Sequence, residues 1–97
     1  MYVLVRKDLD ETYRNVQGTH AVAEYSLRGD KELFEKWDNH TLVHLGVPNE
    51  GALKLWVAKL KNRHKEHVCF FEPDLSDQMT AIACIDTGEV FRKLNLA

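Results

Sequence analysis

The chain is predicted to be an α/β domain with a four-stranded mixed sheet and helices on both faces. Three observations carry that expectation. Short apolar runs suited to strands alternate with longer segments of helical periodicity. The helical segments between the early runs read as crossovers, which favour parallel strands. The last two strand-like runs stand only a short loop apart, which makes that pair antiparallel. At 97 residues and 44% hydrophobic content, the chain has room for one domain with one core.

Residues 2–7, opening Tyr2-Val3-Leu4-Val5, read as a buried first strand. A polar loop, Asp8 to Tyr13, leads to a helix over Arg14–Leu27, with Thr12 or Asn15 as N-cap. Val16, His20, Ala23 and Leu27 recur at helical spacing and are expected on its inward face. Gly29 suits a left-handed cap at the end of that helix. Lys31–Asp38 reads as a short second helix with Leu33, Phe34 and Trp37 inward. Thr41–Leu45 is a second strand, stopped by Gly46 and Pro48.

Asn49 is a good N-cap for the best-defined helix, with Glu50 in its first turn. There Leu53, Trp56, Val57 and Leu60 follow the i, i+3, i+4, i+7 stripe. Val68–Phe71 is the third strand, ended before Pro73, and Met79–Ile85 is the fourth. Val90, Phe91, Leu94 and Leu96 are expected to cover an edge of the core.

Composition removes several function classes. The net charge of −2 creates no global basic field, so a nucleic-acid partner needs a local patch. Cys69 and Cys84 sit in apolar runs without metal-knuckle spacing and read as reduced core residues, with a disulfide as the minority option. The histidines show no zinc spacing, so no metal and no cofactor is expected. No phosphate-binding glycine loop, dinucleotide fingerprint or Gly-x-Ser-x-Gly elbow occurs. No apolar stretch approaches the ~18 residues of a membrane span, which gives a cytoplasmic protein with no membrane partner as the expectation.

The most informative stretch is Gln17-Gly-Thr-His-Ala21. Gln17 and His20 stand three apart and share one side of a helix. Two readings fit: a capped helix whose histidine packs, or a site at a sheet edge. His20, Asp74 after the third strand and Thr80 opening the fourth all fall near strand and loop ends, where α/β sheets hold ligands. A histidine, a carboxylate and a hydroxyl together can activate water for acyl-ester hydrolysis. A turn aspartate and a strand threonine also have ordinary structural explanations.

Several segments in order resemble the archaeal and eukaryotic type of peptidyl-tRNA hydrolase. These are Val3-Leu4-Val5-Arg6 running into Asp8-Leu9, Gln17-x-x-His20-Ala21, a late carboxylate with a Thr-Ala-Ile-Ala strand, and a closing Lys93-Leu94-x-Leu96. The resemblance implies a mixed-sheet α/β fold and hydrolysis of the ester joining a peptide to the tRNA 3′ ribose. It also implies catalytic roles for His20, Asp74 and Thr80. Where the family carries a lysine four residues ahead of the glutamine, this chain has Tyr13, with Arg14 as the nearest cation. The family's Asp-Ala-Gly-x-Thr loop is contracted here to Asp74-Leu75-Ser76-Asp77-Gln78.

On that resemblance, tRNA is the expected partner, with Arg6, Lys7, Arg14 and Gln17 as the substrate-binding and RNA-binding set. The basic shoulders of the third long helix fit either added RNA contacts or a solvated face. Two further readings stay open: an inactive relative that binds RNA or protein, and a homodimer formed through Trp37, Phe91 or the C-terminal leucines.

Overall fold

A computed structural model describes all residues from Met1 to Ala97. Four strands, β1 (Tyr2–Arg6), β2 (Val43–Val47), β3 (Val68–Glu72) and β4 (Gln78–Cys84), form one sheet in the order β2-β1-β4-β3. β1 and β2 are parallel, while β4 runs antiparallel to both β1 and β3. The mixed four-stranded α/β architecture is as expected. The expectation that crossovers make most neighbouring strands parallel fails: β4 lies between β1 and β3, and only the β1–β2 pair is parallel.

Three helices cover the sheet: α1 (Glu11–Arg28), α2 (Lys31–Trp37) and α3 (Glu50–Asn62). Strand alternation divides the core between the two faces. Val3, Val5, Ala81 and Ala83 meet Ala21 and Tyr25 of α1 on one side. Leu4, Ile82 and Cys84 meet Leu53 and Leu60 of α3, with Phe91, on the other. No helix is long and apolar enough to cross a membrane.

Helix α1 begins earlier than its apolar spacing suggests. Asp10, not Thr12 or Asn15, is the N-cap, and its carboxylate accepts from the Tyr13 N–H at 2.9 Å. The helix is also rotated from the expected face. Its buried residues are Gln17, Gly18, Ala21 and Tyr25, whereas Val16 is 44% and Leu27 67% exposed. Gly29 takes φ −81°, so the cap is extended and not left-handed. In α2, Phe34 and Trp37 are half-buried, but Leu33 faces solvent.

Helix α3 follows its sequence signals closely. The Asn49 side chain accepts from the Ala52 N–H at 3.0 Å, Leu53 and Leu60 are buried, and Trp56 and Val57 are half-buried. β2 starts two residues later than expected and runs through Gly46, which pairs with Val5 of β1; the Lys7 side chain lies across that glycine where a Cβ would stand. The C-terminal segment caps the open edge of β2: the Gly46 N–H donates to Asn95 O at 2.9 Å and the Ala97 N–H to His44 O at 3.1 Å. Phe91 is only 1% exposed and belongs to the core, so it offers no dimer surface; Leu96 is exposed. Both cysteines are free, Cys84 fully buried and Cys69 partly.

Candidate functional site

The site is built where β3 ends, β4 begins and α1 crosses above them. Alternation along β3 turns Phe70 and Glu72 toward α1. In β4 the same rule would send Thr80 the other way, beside Ile82. A bulge changes this. Phe70 pairs with Ala81 and Phe71 with Met79, which leaves Thr80 as an extra residue on β4. Its hydroxyl thereby reaches the α1 face and donates to Gln17 Oε1 at 2.5 Å.

Gln17 is fully buried, and both ends of its amide are used. While the oxygen accepts from Thr80, Nε2 donates to Glu72 Oε1 at 2.9 Å. The other Glu72 oxygen accepts from the Asp74 N–H at 3.2 Å. These contacts hold the Glu72 carboxyl below the usual carboxylate range, first through the Gln17 amide, then through the Asp74 N–H, with His20 and the Tyr13 hydroxyl adding to the effect. Tyr13 is shifted the opposite way: partial burial, then the charges of Glu72 and Asp74, push its phenol upward.

His20 is exposed at the rim of this network. Its ring stacks on Phe70 with centroids 4.5 Å apart and planes at 4°. Beside it, Asn15, Val16 and Thr19 bound a shallow depression of about 260 Å³ on the outer side of α1. Gln17 and His20 therefore divide the labour that their spacing suggested they share: one locks the helix down and the other faces solvent. Thr19 serves the helix itself, donating from its hydroxyl to Asn15 O at 2.9 Å.

The remaining expected residues divide plainly. Asp74 lies next to the network, joined through its backbone, with an exposed side chain. Thr80 is buried and its hydroxyl is committed to Gln17, so it positions α1 and does not touch a ligand. The structure does not bring Arg6 into the cleft. Its guanidinium grips Asp8 through two 2.9 Å contacts and also donates to Gln78 Oε1 and Met79 O. Arg14 braces the preceding loop, donating from Nε to Leu9 O at 2.8 Å. Lys7 lies across Gly46, toward the β2 side of the sheet.

Glu72 and Phe70 were not anticipated as site residues, although the alternation Val68, Phe70, Glu72 puts both on the α1 face. No group of three or more His, Cys, Asp or Glu side chains converges as a metal site.

No family model and no curated protein matches the chain.

Proposed function

We propose that this chain is a metal-free hydrolase of RNA-linked acyl esters, of the peptidyl-tRNA hydrolase kind. The observation that carries the reading is the exposed His20 imidazole, held on Phe70 beside the ordered Glu72 carboxylate. An imidazole next to a fixed negative charge can take a proton from water, because the imidazolium that forms is stabilised there. In the proposed reaction, water attacks the ester carbonyl as His20 Nδ1 or Nε2 accepts its proton. The tetrahedral intermediate collapses, the ester C–O bond breaks, and the proton passes to the departing ribose oxygen.

Each neighbour supports that chemistry in a separate way. Glu72 and Asp74 supply the negative field. Gln17 and Thr80 act as positioning residues that hold α1, and with it His20, against the bulged end of β4. Tyr13, standing at the position of the family lysine, lies near the Glu72 carboxylate and brings no cation.

That last feature favours a second reading, an RNA- or protein-binding relative without turnover. With Tyr13 in the place of the lysine and Arg14 bonded through Nε to Leu9 O, no lysine stands ready for the oxyanion. An N-acetylated aminoacyl-tRNA substrate separates the two. Release of the amino acid above the rate without protein supports the hydrolase. Salt-sensitive tRNA binding with only background release supports the binding module. The hydrolase reading carries with it a cytoplasmic location and tRNA as partner.

A further inference from the structure

A larger concavity, about 460 Å³, lies far from His20, between the C-terminal half of α3 and the segment after β4. Five cationic side chains line it: Lys59, Arg63, Lys65, Arg92 and Lys93, against one acid, Glu89. A chain with 13 Lys and Arg in all and a net charge of −2 has thus gathered five of its cations into one groove. They come from two separate stretches of sequence, 59–65 and 92–93, which a solvated face of one helix does not explain.

The cations are not all spent within the protein. Lys65 pairs with Asp86 at 2.8 Å, and Arg92 makes only a long 3.9 Å contact with Glu89. Arg63 and Lys93 have no carboxylate partner, and Lys59 lies over the Trp56 ring, 4.5 Å from its centroid. Trp56 itself rests against Phe91, with centroids 5.3 Å apart, which supports its ring at the wall of the groove.

We propose that this groove binds single-stranded RNA, with Arg63, Lys93 and Lys59 on successive phosphates once Lys59 swings off the Trp56 ring, whose freed face is a platform for a base. An aromatic plane among flexible cations is the chemistry that separates nucleotides from other polyanions. That the strand is RNA rests on the ester-hydrolase reading; the groove itself does not.

The location adds a constraint. Thr87, three residues past the end of β4 at Cys84, lines the groove, whereas Thr80 and Glu72 sit at the opposite end of the sheet and on its other face. The length of β4 separates the two by roughly 20 Å. The groove therefore holds a part of the substrate remote from the ester, and a long RNA engages both places at once.

The test is fluorescence anisotropy of a labelled, unacylated RNA of about 12 nucleotides, a length that spans one such groove. Lys59→Glu with Arg63→Glu is expected to weaken binding about tenfold or more and to flatten its salt dependence, which starts near a slope of −2 for about three phosphates. Lys36→Glu with Lys54→Glu changes the net charge equally and is expected to leave binding within about twofold. Equal losses in both pairs overturn the proposal, as does absence of RNA binding. So does competition by inorganic polyphosphate as strong as that by RNA, or groove-dependent binding to phosphatidylserine vesicles in place of RNA. His20→Ala is expected to bind the RNA normally. Groove-dependent binding without ester cleavage retires the hydrolase and leaves the groove; cleavage without groove-dependent binding does the reverse.

Discussion

The imidazole of His20 lies parallel to the Phe70 ring, with 4.5 Å between centroids and 4° between planes. A parallel stack uses the faces of the rings and leaves the two in-plane nitrogens outside the contact. Phe70 is two residues before Glu72 on the same face of β3, so one strand supplies both the support and the field. Replacing Phe70 by leucine keeps an apolar side chain but removes the stack, worth about 1 kcal/mol. Under the proposed hydrolase reaction, the expected result is a fall in kcat of about tenfold with KM little changed. Steady-state kinetics on an N-acetylated aminoacyl-tRNA checks it, and an unchanged kcat removes Phe70 from the account.

The buried Thr80–Gln17 contact predicts a stability effect. Thr80→Val keeps the shape but strands Gln17 Oε1 in a dry interior, at a cost of about 1–3 kcal/mol. For a domain of this size that lowers Tm by about 4–8 °C per kcal/mol. Thr80→Ser, which keeps the donor, is expected to lose much less, and thermal melts of the three proteins decide it.

Stability should fall in two steps as the solution is acidified. Burial lowers the His44 imidazole below its usual 6.5, so the folded state prefers the neutral ring. The unfolded chain then takes up that proton first, and stability declines as pH drops below 6.5. Glu72 has a depressed folded value, so its contribution is complete above the usual 4.5 and is lost as pH falls from there through the folded value. Urea midpoints measured across both windows are expected to show the first step reduced in His44→Gln and the second reduced in Glu72→Gln. That carboxamide still offers Gln17 an acceptor.

Gly18 lets α1 approach β2. A Cβ there would stand 2.6 Å from His44 Cε1 and 3.1 Å from its Nδ1. Alanine gains about 1 kcal/mol in intrinsic helix preference, but overpacking typically costs about 1–3 kcal/mol. Gly18→Ala is expected to be a net loss of about 1 kcal/mol in wild-type background and a net gain when combined with His44→Ala. Chemical denaturation of the four proteins in the cycle measures this.

The element order was legible because strands, crossovers and caps leave local marks. Asn49 and the Leu53–Leu60 stripe placed α3 closely, and the short loop before β4 gave the antiparallel β3–β4 pair. The face of α1 was not legible by apolar spacing. Its buried side is led by Gln17 and Gly18, a polar residue and one without a side chain, while apolar Val16 and Leu27 face solvent. The position of β4 between β1 and β3 depends on pairings distant in sequence. So does the bulge that turns Thr80 toward α1, and no residue type near 70 or 80 announces it. Of the candidate site, the placement of His20 and Asp74 near the end of β3 was readable, whereas the Glu72 carboxylate emerged only once the Gln17 amide was seen to hold it.

The central claim is that His20 moves the proton in ester cleavage, and single-turnover release from N-acetylated aminoacyl-tRNA measures it most directly. The account predicts that wild-type protein cleaves well above the rate in buffer and that His20→Ala, still folded, loses about a hundredfold or more of that rate. Equal rates for the two proteins, whether both fast or both at background, contradict it.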